Sequence, residues 1–164
     1  MHIGNSRRDS ITESMIPGFF NLVIWAHEHE SIPEVNECRE TGTCFLQPGS
    51  TVATSLIAAE AKPKHCFLLR VDGIKYNVQP IRLDNVRPFA YDSVELSRAE
   101  PRLDPREVEK VEDYLIKIIE RNLALIEKEC QNKIEDLRLP IIRIKYEHSG
   151  FQPIIKSKKI SDRF

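Results

Sequence analysis

Two histidines one residue apart, His27 and His29, are the residues of this 164-residue chain whose types and spacing could most directly support chemistry. They follow the apolar run NLVIWA, residues 21–26, and a glutamate follows each of them. Side chains at i and i+2 of an extended chain share one side, so the two imidazoles would lie about 6–7 Å apart along a strand. That arrangement suits one imidazole on each of two metal ions about 3.5–4 Å apart, as in two-metal phosphoester hydrolases.

The local pattern leaves a second interpretation open. Two solvated loop histidines beside Glu28 and Glu30 would give the same sequence. A site for two ions also needs several further Asp, Asn or His ligands. The other histidines are His2, His65 and His148, and His65 leads into a predicted strand, where a structural role is the simpler interpretation.

The first half of the chain predicts strands around the histidine pair. NLVIWA has the length and composition of a strand buried on both faces of a layered α/β structure. Residues 27–43 are predicted to form a loop or a hairpin, and residues 44–47 a short strand before a Pro-Gly turn. The segment KHCFLLRVDGIKYNVQPIRL predicts two strands joined at Asp72-Gly73, because this dipeptide is typical of tight hairpins.

The second half predicts one long helix between two strands. YDSVEL alternates like a strand, and then Asp104 can cap a helix with Pro105 in its first turn and Glu107 three residues after the cap. LPIIRIKYEHSGF predicts a final strand before a basic tail. Apolar residues recur at helical spacing to about residue 133, at Val108, Val111, Leu115, Ile118, Ile119, Leu123 and Ile126.

Composition limits the classes of function. A net charge of −1 argues against a globally basic nucleic-acid binder, but residues 61–99 and 137–164 are net basic, and local fields steer partners more than totals do. The four cysteines form no C-x-x-C pair. No apolar run approaches the roughly 20 residues of a membrane span, and no signal peptide is recognisable. We therefore expect an intracellular protein with free thiols and no membrane association.

Five blocks, in this order, resemble one protein family: LVIWAHEHE, QPGSTVATSL, AKPKHCFLL, VRPF and LPIIRIK…SGF. This is the family of eukaryotic double-strand-break repair nucleases named for meiotic recombination, within the calcineurin-like metallophosphoesterase superfamily. The resemblance covers about residues 15–155. It implies a nuclear homodimer that works with a zinc-hook coiled-coil ATPase and a nibrin-like subunit. It also implies two manganese ions and DNA cleavage as an endonuclease and 3′-to-5′ exonuclease.

The same resemblance implies the fold and the domain boundary. We expect an α/β chain, an α+β fragment, whose residues 1–87 form the closing strands of a metallophosphoesterase β-sandwich. Residues 88–164 are then expected to form a small α+β DNA-binding capping domain, which this chain does not complete.

The resemblance also implies site residues. His27 and His29 match the histidines of the family's G-H-E-H motif, which contact metal there. The family's D-x-H, G-D-x-x-D and G-N-H-D motifs are absent from this sequence, and His2 is a candidate counterpart of an H-Q-N histidine in a different context. Ala26 replaces the motif's glycine, and its Cβ is costly if the backbone there needs positive φ or a close approach to the ions.

We therefore expect a DNA-binding repair fragment without autonomous catalysis, because two imidazoles cannot hold both ions and leave positions for water and substrate. An active manganese nuclease would need its missing ligands in trans or from a longer protein. The alternative is a non-catalytic interaction remnant that binds the ATPase or a dimer partner. The candidate DNA contacts are cations and hydroxyls, namely Ser50, Thr51, Lys62, Lys64, Arg87, Arg143 and Lys145.

Overall fold

The computed structural model describes residues 11–130, 139–151, 160 and 164, and this part of the chain forms seven strands and one α-helix. Two compact units divide between Val86 and Arg87. The mixed α/β class predicted from the sequence is confirmed, whereas the assignment of the two units to a phosphoesterase part and a capping domain stays a prediction. Among the described residues, no helix is long and apolar enough to cross a membrane.

The first unit contains a three-stranded sheet in the order β1-β3-β2. Strand β3 (Cys44–Gln47) lies in the middle, parallel to β1 (Leu22–Ile24) and antiparallel to β2 (Ile32–Glu37). The core beneath it is built on Trp25 and Phe45, whose ring centroids lie 5.5 Å apart. This sheet positions the segment between β1 and β2, which contains both histidines.

The prediction of a strand buried on both faces at NLVIWA is wrong. Strand β1 has three residues, lies at the sheet edge and is only partly buried, with Ile24 52% exposed. Periodicity cannot show whether both faces of a short apolar run are covered. Within residues 27–43, predicted as loop or hairpin, β2 forms and pairs with β3.

The predicted hairpin is confirmed. Strands β4 (His65–Asp72) and β5 (Lys75–Arg82) pair antiparallel, from His65 with Arg82 to Asp72 with Lys75. The turn lies one residue later than predicted, because Asp72 is still paired and Gly73 occupies the first turn position with a φ of +58°. Positive φ at that position is what a two-residue hairpin turn requires.

In the second unit, β6 (Phe89–Glu95) pairs in parallel with β7 (Ile141–Glu147), and α1 (Val108–Cys130) contributes four of the eight buried residues of the described core. The predicted apolar face of the helix is confirmed at Val111, Leu115 and Ile118, which are buried. Val94, Ile144 and Tyr146 of the sheet pack against the same cluster. One face of the β6–β7 sheet therefore packs on this core, and the opposite face carries exposed polar side chains beyond the buried Phe89.

The helix begins later than predicted. The Asp104 carboxylate accepts a hydrogen bond from the Arg106 amide at 2.9 Å, and the Glu107 amide donates to the Asp104 carbonyl at 3.0 Å. These bonds close a turn around Pro105, so Glu107 rather than Asp104 directly precedes the helix. The described helix ends at Cys130, and the predicted helical residues 131–133, His2 and most of the basic tail lie outside the described residues.

The backbone at Gly49, after β3, lies close to the backbone of Glu30 and Ser31, just after the two histidines. Its φ is +68°, and an added Cβ would lie 2.5 Å from the Glu30 carbonyl carbon and the Ser31 nitrogen. Gly42 has a φ of +69° but open space around it, so Gly42→Ala measures only the cost of placing an L side chain at positive φ. We predict that Gly49→Ala lowers the free energy of unfolding by about 1–3 kcal/mol more than Gly42→Ala does, the typical cost of overpacking. Urea unfolding measures both, and equal losses would contradict the close approach.

Candidate functional site

The two predicted metal ligands do not lie on an extended strand. After Ile24 the chain leaves β1 and turns at Ala26 and His27, and His29 lies in a bend. The geometric premise that His27 and His29 project together as i and i+2 of a strand is therefore wrong, because that rule requires extended backbone. Both residues are exposed, and their assignment as metal ligands stays a prediction.

The His29 imidazole is anchored at one ring nitrogen. Its Nδ1 lies 2.9 Å from Glu60 Oε1 and 3.0 Å from Thr54 Oγ1. Glu60 belongs to a short 3₁₀ helix (Ala58–Ala61), so the contact joins segments 31 residues apart in sequence. The His29 side chain is 46% exposed, whereas that of Glu60 is fully buried.

Glu60 is the buried centre of a polar cluster, which we define as Glu60, Lys64, Ser50, Thr54 and His29. Oε1 accepts hydrogen bonds from Thr54 Oγ1 at 2.6 Å, from the Thr54 amide at 3.1 Å and from the Ser55 amide at 3.3 Å. Oε2 accepts from Ser50 Oγ at 2.6 Å and from Lys64 Nζ.

The protonation state of Glu60 follows from these contacts. Burial alone would raise the pKa of its carboxyl, but the hydrogen bonds from Lys64, Ser50 and Thr54 outweigh burial and hold the pKa well below its ordinary value. Hydrogen bonds to the charged form and a nearby cation both favour ionisation. Glu60 is thus a carboxylate at neutral pH.

Lys64 has a different environment from the one predicted. It is only 3% exposed, it pairs with Glu60, and Nζ also donates to Ser50 Oγ at 3.0 Å. An ammonium held in this way cannot reach a DNA phosphate without leaving its buried partner, so we do not retain Lys64 among the candidate DNA contacts. Ser50 is half-buried in the same cluster, and Thr51 beside it is exposed.

A second polar surface lies on the uncovered face of the β6–β7 sheet. The register places Tyr91 beside Arg143 and Ser93 beside Lys145, and we call these four residues the outer face; Glu95 and Glu147 pair on the same side at the end of the strands. The Arg143 guanidinium carbon lies 5.9 Å from the centroid of the Tyr91 ring, within the range of a cation–π contact. Both basic side chains are exposed. Arg143 and Lys145 were predicted from the sequence. Tyr91 and Ser93 were not, because only the pairing of β6 with β7 brings them next to these two cations.

Two other predicted contacts are exposed cations engaged elsewhere in the protein. Lys62 Nζ pairs with Glu30 Oε1, and Arg87 Nε donates to the Leu139 carbonyl at 2.7 Å. Both side chains keep further donors, because an ammonium has three N–H groups and a guanidinium five. Lys62, Ser50 and Thr51 belong to the first unit, and Arg87 belongs to the second with the outer face.

Comparison with known proteins identifies the family. A family model described as the Mre11 DNA-binding presumed domain matches residues 76–164. The chain belongs to the Mre11 family. It is 36% identical over 152 residues to the double-strand break repair protein MRE11 of Arabidopsis thaliana, and 40% identical over 152 residues to MRE11 of Oryza sativa subsp. japonica. Each match covers 93% of this chain and 21% of the relative. MRE11 of Mus musculus is 34% identical over 163 residues, 93% of this chain and 23% of the relative.

Membership of the Mre11 family confirms the resemblance seen in the sequence blocks, and the chain spans less than a quarter of the length of these three relatives. The family match starts within β5, before the division between the two structural units at Val86. It therefore covers the whole second unit, including the outer face.

A metal site implied by the Mre11 family can be tested against the residues present. In the part of the chain that the structure describes, no group of three or more His, Cys, Asp or Glu side chains could hold an ion. His29 on its own fits a ligand, since metal-bound histidines commonly give their other ring N–H to a carboxylate. One or two imidazoles do not make a two-ion site, and we derive no catalytic step from them.

Glu60 is the site residue that sequence analysis missed. A signal was present, because Glu60 is the only acidic residue in the stretch 50–61 and lies four residues before Lys64. On a continuous helix this spacing predicts a surface ion pair. Here Glu60 lies in a 3₁₀ turn and the pair is buried instead.

The burial of Lys64 makes a direct prediction. Lys64→Met leaves Glu60 buried and charged without its cation, which typically costs about 3–5 kcal/mol. Lys62→Met removes a lysine from an exposed pair with Glu30 and should cost no more than about 1 kcal/mol. Chemical unfolding at neutral pH compares the two variants, and equal effects would show that Lys64 is solvated like Lys62.

Proposed function

We propose that this chain is a DNA-binding fragment of the Mre11 family that acts in double-strand-break repair. The observation that carries the proposal is the outer face of the β6–β7 sheet, where Tyr91, Ser93, Arg143 and Lys145 lie together inside the matched DNA-binding domain. Support also comes from the relatives, whose names describe double-strand break repair proteins.

The chemistry of the outer face suits a sugar–phosphate backbone. Arg143 and Lys145 supply positive charge and N–H donors, and the hydroxyl of Ser93 adds another donor; such groups make most contacts to DNA phosphates. Tyr91 packs its ring against the Arg143 guanidinium, which limits the orientations of that cation. The strand pair fixes the positions of the two cations, because α1 covers its opposite face.

The remaining family properties belong to the same proposal. His27 and His29 are proposed as metal-contacting residues of an ancestral manganese site, and the match to the G-H-E-H motif supports this. We further propose a nuclear location and association with the zinc-hook ATPase, a nibrin-like subunit and a second copy. Lys62, Arg87, Ser50 and Thr51 are proposed as secondary DNA contacts, and no independent catalysis is proposed.

One observation favours the alternative function of a protein-interaction remnant. The β4–β5 hairpin exposes apolar side chains, with Val71 66% and Ile74 84% exposed and Leu68 and Ile81 both more than 40% exposed. Apolar patches on a soluble protein commonly mark protein contacts. Binding of the ATPase through this hairpin, together with no measurable DNA binding, would favour the alternative.

The DNA proposal is tested by removing the two cations of the outer face. We predict that Arg143→Ala combined with Lys145→Ala weakens binding to DNA of any sequence by about tenfold or more, and lowers the slope of log affinity against log salt by about 2. Fluorescence anisotropy between about 50 and 200 mM salt gives both quantities.

The matched control removes two exposed cations from α1, with Lys117→Ala combined with Lys128→Ala. It changes the net charge equally and leaves the outer face intact, so its affinity should stay within a fewfold of the parent chain. If both double variants lose affinity equally, the interaction depends on net charge and the outer face is not the DNA site.

A further inference from the structure

The contact between His29 and the buried Glu60 carboxylate determines which nitrogen of the imidazole carries a proton. Glu60 Oε1 is 2.9 Å from His29 Nδ1, and the Glu60 side chain is fully buried. An ionised carboxylate only accepts hydrogen bonds. The proton in this bond must therefore belong to His29, on Nδ1.

Thr54 does not offer the ring an alternative. Its hydroxyl lies 3.0 Å from His29 Nδ1 and 2.6 Å from Glu60 Oε1. A threonine hydroxyl has one hydrogen, and the shorter bond to the charged oxygen takes it. The Thr54 oxygen can then only accept from His29, which again requires a hydrogen on Nδ1.

We infer that Glu60 is a positioning residue for His29, which holds the neutral imidazole in the Nδ1–H tautomer and leaves the Nε2 lone pair available to a ligand. The hydrogen bond made by one ring nitrogen decides which tautomer the other presents. An unconstrained neutral histidine favours the opposite, Nε2–H tautomer. The cluster thus prepares His29 to donate an electron pair through Nε2.

The tautomer does not rest on the metal assignment proposed above, because it follows from the contacts within the protein.

Glu60→Met combined with Lys64→Met removes the carboxylate without leaving a buried lysine unpaired. His29 Nδ1 then loses its charged acceptor, and the Thr54 hydroxyl, no longer bonded to Oε1, can donate to Nδ1. We predict that His29 shifts toward the Nε2–H tautomer in this double variant.

The experiment is a long-range ¹H–¹⁵N correlation on the full chain labelled with ¹⁵N-histidine, at a pH well above the ordinary histidine pKa of about 6.5. His29→Gln assigns the resonances. Glu30→Gln is the matched control, because Glu30 adjoins His29 in sequence and its carboxylate pairs with exposed Lys62. The expected result is the Nδ1–H pattern in the parent chain and in Glu30→Gln, and its loss in the Glu60→Met, Lys64→Met double variant.

The parent spectrum is decisive even if the double variant does not fold. An Nε2–H or averaged pattern for His29 in the parent chain overturns the inference, and so does an unchanged Nδ1–H pattern in the folded double variant.

Discussion

The ion pair between Glu60 and Lys64 is the constraint on which the first unit depends around its histidines. Both side chains are almost completely removed from water, and a buried charge is tolerated only when it is paired and its hydrogen-bonding capacity is used. Glu60 meets this requirement by drawing donors from Ser50, Thr54 and Ser55. His29 also hydrogen-bonds to this carboxylate, so the buried charge of one residue holds several backbone segments together.

A buried ion pair does not by itself make a fold more stable than an apolar core would. Its contribution here is geometric, because several segments must meet at one carboxylate. Gly49 adds to this constraint, since its left-handed backbone lets the chain pass close to Glu30 and Ser31. The result is an irregular polar loop region in which the His29 imidazole has a defined orientation. The second unit works differently, because the β6–β7 sheet packs its apolar face on α1 and keeps Arg143 and Lys145 on the other face.

Sequence patterns predicted the features that depend on local information. The β4–β5 hairpin follows from a turn dipeptide between apolar runs, and the buried face of α1 follows from apolar residues at helical spacing. The start of α1 was placed too early, because Asp104 stabilises the turn around Pro105 and the helix begins only after Glu107. The outer face needed the pairing of β6 with β7, which are separated by the whole of α1.

The candidate site was predicted only in part for the same reason. His27 and His29 were recognisable from their spacing and from the family motif, but their backbone turns instead of extending. Glu60 escaped notice because its importance comes from His29, Ser50 and Thr54, which approach it only in the folded chain. Lys64 was mistaken for a surface cation because a sequence does not show which charges are buried.

Native-state hydrogen exchange of the Thr54 and Ser55 amides tests the central claim most directly, since both donate to Glu60 Oε1 in a loop without regular strand or helix. If the buried carboxylate holds this region together, both amides are protected and exchange through one shared opening with the same free energy. Exchange of both at the rate of an unstructured peptide, with the rest of the first unit protected, would contradict the account.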